Sequence, residues 1–156
     1  MKKLRKGDDI AYPEPTEQRR RLMSRVKSRN TSPELKVRKL LHAMGYRFRL
    51  HKCDLPGTPD IVFGPLKKAI FVHGCFWHRH DGCRKTTTPT TRREFWVSKF
   101  QANVLRDERK MHELKEIGWD VMVVWECESE APTLARHLTR FLRRSARKHR
   151  RRVERG

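Results

Sequence analysis

Phe71-Val72-His73-Gly74-Cys75-Phe76-Trp77-His78-Arg79-His80-Asp81-Gly82-Cys83 sets three histidines and two cysteines within thirteen residues, directly after a hydrophobic segment of strand character. Imidazoles and thiols at that density point to chemistry rather than packing. Upstream, Leu55-Pro56-Gly57-Thr58-Pro59-Asp60-Ile61-Val62-Phe63 opens another apolar run with a Pro-Asp pair, and downstream Val123-Val124-Trp125-Glu126-Cys127 closes a third on a further cysteine. Together the three segments predict a metal-braced site on a small α/β domain.

Bulk properties bound what such a site serves. A chain of 156 residues suits one domain with one core. Its 38 Lys and Arg against 18 Asp and Glu give a formal charge of +20, so it should attract polyanions, with nucleic acid the first candidate. A basic membrane-surface protein would need a long amphipathic helix with an apolar face or a lipidation motif, and neither is visible. No segment reaches the roughly 18 uninterrupted apolar residues of a membrane span. The start, Met1-Lys2-Lys3-Leu4-Arg5-Lys6, carries charge with no apolar stretch behind it, which is no signal peptide. The expected compartment is a reducing one, where four cysteines are thiolate ligands or free thiols rather than disulfides.

Residues 1–20 are charged, carry Pro13 and Pro15 and show no period, the composition of an arm that orders only on a ligand. Residues 143–156 hold eight Lys or Arg and one acid, a solvated tail with a second use against phosphates. Between the ends, Ser32-Pro33-Glu34 supplies an N-cap, a proline at the first helical position and a first-turn acid, followed by a stripe of Val37, Leu40, Leu41 and Met44. Residues 46–50, 60–63 and 69–73 are short β-branched or aromatic runs bounded by turn residues. Thr91-Arg92-Arg93-Glu94 reads as a capping box for a long helix whose Val97, Phe100, Val104, Met111 and Leu114 recur at helical spacing until Gly118. Residues 119–125 read as a buried strand, and Leu134, Leu138, Phe141 and Leu142 as a closing helix. The order αβββαβα predicts an α/β fold with a central mixed β-sheet flanked by helices.

Cys75, His80, Cys83 and Cys127 form the expected zinc set. Zinc takes four thiolate or imidazole ligands in a tetrahedron, and Cys-x4-His-x2-Cys lets one loop wrap three sides while a strand end brings the fourth. Such a site is closed and structural. His73 and His78 compete for the histidine position, and the bland alternative is three cysteines buried as small hydrophobes. Cys53 has no such company.

Asp60, at the start of a buried strand, can present a hard carboxylate to a divalent ion, which metal-assisted phosphodiester hydrolysis requires. Asp107 falls on the apolar stripe of the long helix, where a charge is costly unless it is paired or used, and Asn103 stands one turn before it. Glu34 lies on the side of Val37 and Leu41, with a first-turn role at the helix dipole as its plain alternative. Because zinc needs one histidine, His73 and His78 are left for acid–base work. Phe76, Trp77 and Trp96 are expected to be exposed enough to stack on or wedge between bases, whereas Phe95, Trp119 and Trp125 are expected in the core.

These residues resemble the Vsr, or very-short-patch-repair, DNA mismatch endonucleases. The likeness runs from about Arg21 to Phe141, through Ser32 to Glu34, Leu55-Pro-Gly-x-Pro-Asp60, Phe71-Val-His-Gly-Cys-Phe-Trp-His78, Glu94-Phe-Trp96, Asn103 to Asp107 and Val124-Trp-Glu-Cys127. It implies an endonuclease domain over residues 21–142 with a restriction-endonuclease-like PD-(D/E)xK fold, in which Phe71-Val72-His73 stands for the usual Glu-x-Lys. It further implies Mg²⁺ on Asp60 with a contact from Val72, catalytic roles for His73 and His78, Glu34 pairing with those histidines, and Asp107 orienting one of them. Phe76, Trp77 and Trp96 would wedge beside the mismatch, and Met23, on a helix starting near Glu17, would press from the opposite groove.

Two positions depart from the family pattern. Val72 stands where members commonly carry Thr, so only a main-chain oxygen could serve there. One extra residue in Asp81-Gly82 before Cys83 leaves His78 as an alternative to His80 on zinc. The resemblance implies a monomeric enzyme of the bacterial cytoplasm and nucleoid that nicks duplex DNA 5′ of the thymine in a T·G mismatch, with MutL as a partner. A sequence-specific endonuclease of the same fold that ignores mismatches is the alternative, and a zinc-stabilised DNA-binding regulator the alternative outside enzymes. A zinc deaminase is excluded, since no His-x-Glu accompanies a Pro-Cys-x-x-Cys.

Overall fold

The structure, a computed structural model, describes residues 16–144. Helix α1 (Glu17–Ser24) is capped by Thr16, whose hydroxyl accepts from the Arg19 amide, and it buries no residue. It begins inside the stretch expected to be an arm, and it shows no apolar period because none of its faces enters the core. The rest of that arm, and the tail from residue 145, lie outside the described residues.

Helix α2 (Ser32–Ala43) is capped by Thr31, one residue before the expected Ser32. The Thr31 hydroxyl accepts from the Glu34 amide and donates to Glu34 Oε1 at 3.1 Å, a reciprocal cap that also pins the acid. Strand β1 (Arg49–Leu50) is shorter than expected, because Tyr46 and Phe48 turn to pack edge-on against Phe63. Strands β2 (Ile61–Phe63) and β3 (Lys68–His73) form a hairpin whose turn needs Lys67 at φ 49°. A one-turn helix α3 (Cys75–His78) follows, too short to show a period. Helix α4 (Arg93–Glu116) then crosses to β4 (Asp120–Trp125), and α5 (Leu134–Arg143) closes the chain.

The sheet order is β1-β2-β3-β4, antiparallel except for the parallel β3–β4 pair. It is the expected mixed sheet, and the alternation of its side chains assigns the helices to faces. Ile61, Phe63, Ile70, Val72 and Val124 meet Val37 and Leu41 of α2 and Leu134, Leu138 and Leu142 of α5. Val62, Phe71, Val121 and Val123 point the other way, toward Leu114 and Met111 of α4. Only Val124 of β4 is fully buried, so the continuous apolar run of this strand overstates its burial.

The expected capping box at Thr91 is absent. Arg92 is left-handed, makes no side-chain cap, and lays its guanidinium over Phe95 with 4.8 Å to the ring centroid. Lys68 is buried at the start of the interior strand β3, where its ammonium donates to Asp120 and to the Phe141 carbonyl, tying β3 to β4 and α5. The C-terminal ends of β3 and β4 together carry His73, Trp125 and the start of both cysteine-bearing turns.

Candidate active site

A cleft of about 1160 Å³ opens at the start of β2 and the end of β3, walled by the 26–34 segment, the 57–60 loop, α3 and the middle of α4. Asp60, Val72, His73, His78, Asp107 and Glu34 all line it. The loop holding Asp60 sits close under α4: Gly57 is at φ +75°, and a Cβ there would lie 2.9 Å from Lys110 Cβ. A larger residue would lift the loop and move Asp60 with it.

Asp60 is fixed at one oxygen, since the Val72 amide donates to its Oδ2 at 2.7 Å. Burial pushes its carboxyl up to about 6, against the pull of that amide, and Glu34 adds repulsion. This is a carboxylate whose charge lacks a full partner, an environment in which a nearby cation would be stabilising. Glu34 is buried beside it, accepting from the Asn30 amide at 2.9 Å and from Arg38 at 2.8 Å. The histidine next to Glu34 is His51 at 3.6 Å, whereas no ion pair joins Glu34 to His73 or His78 among the described residues. The expected pairing of Glu34 with those two histidines is thereby corrected: α2 carries it to the β1 side of the cleft.

His73 and His78 stack, with centroids 4.0 Å apart and planes 10° from parallel. His78 Nδ1 lies 2.6 Å from Asp107 Oδ2, so Asp107 orients this ring. Burial, then the His78 charge, depress His73 to about 4, which keeps it neutral at pH 7. Burial is the largest influence on Asp107 and raises it, but the His78 bond and the His78, His73 and Arg106 charges together bring it below its ordinary value. Asn103 makes no hydrogen bond to His73 or His78 among the described residues; its amide donates to the Trp77 carbonyl at 3.2 Å and so ties α4 to α3.

The second cluster is Cys75, His80, Cys83 and Cys127, one ligand atom of each lying within 4.8 Å of all the others. His80 Nδ1 is 3.3 Å from Cys127 Sγ and 3.7 Å from Cys75 Sγ, so His80 rather than His78 faces the thiols. Burial, and then the hydrogen bonds and charges of Cys75 and Cys83, push the Cys127 thiol up to about 12. Three thiolates so close repel one another, and a doubly charged soft cation is the group that relieves this. The donor set therefore fits zinc, and Asp60 fits a hard cation such as Mg²⁺, whereas both Glu34 oxygens are taken by Thr31, Asn30 and Arg38.

The aromatics divide differently from expectation. Trp96 is buried among Phe76, Trp77 and Phe100, whereas Phe95, expected in the core, is 41% exposed. Helix α4 starts later than a Thr91 cap would place it, at Arg93 after a left-handed Arg92 that stacks on Phe95. Trp77 lines the cleft, and so does Met23 of α1, itself 43% exposed.

The sequence profile of the DNA mismatch endonuclease Vsr family matches residues 12–85. Over 112 residues, 72% of this chain and 82% of the relative, it is 57% identical to the type II nicking enzyme V.XorIIP of Xanthomonas oryzae pv. oryzae. It is also 44% identical over 105 residues to the DNA mismatch endonuclease Vsr of Escherichia coli, 67% of each chain. The chain belongs to the Vsr family. It is a DNA endonuclease with DNA as its partner. Its fold is the restriction-endonuclease-like one: the catalytic domain of the homing endonuclease I-Bth0305I superposes with a TM-score of 0.51 at 22% identity, covering 72% of this chain and 94% of that one.

Sequence reasoning missed His51, Arg38 and Glu126 in this Vsr chain. Glu126 accepts from the Cys75 amide at 3.3 Å and from Lys85 at 3.0 Å, bridging the cysteine turn to the cleft it lines. His51 has no motif around it. Only the β1–β2 register, with Leu50 opposite Ile61, brings it beside Asp60.

Proposed function

We propose that this endonuclease nicks one strand of duplex DNA 5′ of the thymine in a T·G mismatch, with Mg²⁺ held by Asp60 and the main chain of Val72. The observation that carries the reading is one shared cleft: Asp60, His73, His78 and Asp107 line it together with Trp77 and Met23. Groups suited to phosphodiester hydrolysis and groups suited to disturbing a base stack thus face the same space. Zn²⁺ on Cys75, His80, Cys83 and Cys127 would brace the turn that carries His78.

A divalent cation at Asp60 would stabilise the charge that develops on the phosphate. The remaining work falls to side chains. Asp107 accepts from His78 Nδ1 and leaves Nε2 free to take a proton from water, and its negative charge favours the imidazolium that results. His73, kept neutral by burial, stacks on that ring without adding a second positive charge. Trp77, backed by the buried Trp96 and by Phe76, forms the wedge on one side and Met23 presses from the other, at a step where a mispair already lowers the cost of unstacking. The enzyme acts as a monomer at the bacterial nucleoid, in the cytoplasm, and passes the nick to repair with MutL as a partner.

The test is incubation with otherwise identical T·G and T·A duplexes, in Mg²⁺ and in EDTA. Nicking confined to T·G with Mg²⁺ is expected. Equal nicking of both duplexes would replace the mismatch reading with a sequence-specific endonuclease, and binding without cleavage would leave a regulator.

A further inference from the structure

His51 is the first residue past β1, lies at φ +45°, and lines the cleft with its side chain 14% exposed. A left-handed backbone is uncommon for a residue with a Cβ and marks a side chain held in place by its surroundings. The surroundings here are specific. Arg38 NH1 donates to Asn30 Oδ1 at 2.7 Å, while its NH2 lies 2.8 Å from Glu34 Oε2 and 2.9 Å from His51 Nε2. The other ring nitrogen, Nδ1, faces Asp60 Oδ1 across 3.7 Å.

From this geometry we infer that His51 is a positioning residue for Asp60, held by Arg38 as the tautomer that carries its proton on Nδ1. A guanidinium offers only N–H donors, so the nitrogen it meets must present a lone pair. The proton then belongs on Nδ1, the side of Asp60. With the Val72 amide on Oδ2 and His51 on Oδ1, both oxygens of the carboxylate are guided, and the 3.7 Å gap is of the kind that tightens when an active site fills. The same logic excludes His51 as a cation ligand through Nδ1, because its proton would have to move to Nε2 and face the Arg38 donor. Burial, against the pull of Glu34 and with the Arg38 and Arg29 charges, holds the ring below its ordinary value, in agreement with a neutral imidazole. Glu34 shares Arg38 with His51, so one buried guanidinium holds Glu34 directly and reaches Asp60 through His51.

The inference rests on the reading of Asp60 as a cation ligand, and the test separates the two. In ¹⁵N-labelled, zinc-loaded full-length protein, long-range imidazole correlations should show His51, assigned by its loss in His51→Gln, protonated on Nδ1, with Arg38→Met releasing the ring to the Nε2–H form. Mn²⁺ affinity by electron paramagnetic resonance should fall about tenfold in His51→Ala. It should return in His51→Gln, whose amide can both accept from Arg38 and donate to Asp60. An Nε2-protonated or cationic ring in the wild type overturns the inference, as does unchanged Mn²⁺ affinity in His51→Ala. Mn²⁺ binding that Asp60→Ala leaves intact would instead sink the Asp60 site, and the tautomer would still decide the role of His51.

Discussion

The imidazole of His80 lies flat on the indole of Trp125, with centroids 4.3 Å apart and planes 5° from parallel. Trp125 in turn sets its edge 5.5 Å from His73, which stacks on His78. A continuous run of rings therefore joins the cysteine cluster to the proposed catalytic pair. The cluster does more than close a loop: it fixes one end of the stack that holds His73 and His78 in register.

Two variants separate those roles. Cys127→Ser should lose zinc, and because structural zinc contributes folding energy directly, the melting temperature should drop by about 10 °C or more. Trp125→Leu should keep zinc yet reduce nicking, since His73 loses its edge contact while His80 keeps its thiols. Metal analysis with thermal melts checks the pair. A metal-free protein that melts like the wild type contradicts the zinc assignment.

Asp60 and His73 predict a particular pH dependence of stability in the zinc-loaded protein without added Mg²⁺. The folded pKa of His73, about 4, lies below the ordinary 6.5, so the unfolded chain binds more protons between these values and stability falls as pH drops from 6.5 toward 4. Asp60, near 6 instead of 3.8, does the opposite: the folded state binds more protons and stability rises as pH falls through 6. Each effect is worth about 3 kcal/mol and the two windows overlap, so Asp60 offsets most of the His73 loss, while His51 and Asp107, both held below their ordinary values, add to the fall at low pH. Asp60→Asn should be more stable than wild type at pH 7.5 by up to about 3 kcal/mol and then lose stability steadily below pH 6.5. Urea melts across pH would show both, and a flat Asp60→Asn profile would refute the His73 assignment.

Asp60→Ala should abolish nicking while leaving DNA affinity near wild type, because it removes a cation ligand and one negative charge close to phosphates. Val72→Ala should be mild, since its main chain makes the contact with Asp60 and its buried side chain loses only two methyl groups. Single-turnover nicking and filter binding separate the outcomes, and strong loss of DNA binding in Asp60→Ala would contradict the role.

Much of this was legible because period and chemistry coincide. The stripes of α2 and α5, the Asp60 carboxylate at the head of β2, and the Cys-x4-His-x2-Cys turn all follow from spacing within one element. His51 was invisible because its partner is defined by strand register, and Arg38 because a buried arginine looks in sequence like any helix-surface cation. The capping box failed for a related reason: Thr91 and Glu94 have the spacing, but Arg92 stacked on Phe95 decides where α4 begins.

Trp77 and Trp96 provide the sharpest contrast for base recognition. Trp96 is buried, ringed by Phe76, Phe95, Trp77 and Phe100, so Trp96→Ala should cost about 3–5 kcal/mol whether or not DNA is present. Trp77 packs against it at 5.9 Å but also lines the cleft, half-buried, with its carbonyl held by Asn103. Trp77→Ala should therefore lose less stability, keep its zinc, and lower nicking of the T·G duplex steeply, because the face that could enter a base step is gone. In the wild type, a mismatched duplex should quench tryptophan emission more than a matched one, and Trp77→Ala should erase that difference. If Trp77→Ala unfolds as readily as Trp96→Ala and no extra quenching occurs, both rings belong to the core, and recognition must come from hydrogen bonds to base edges.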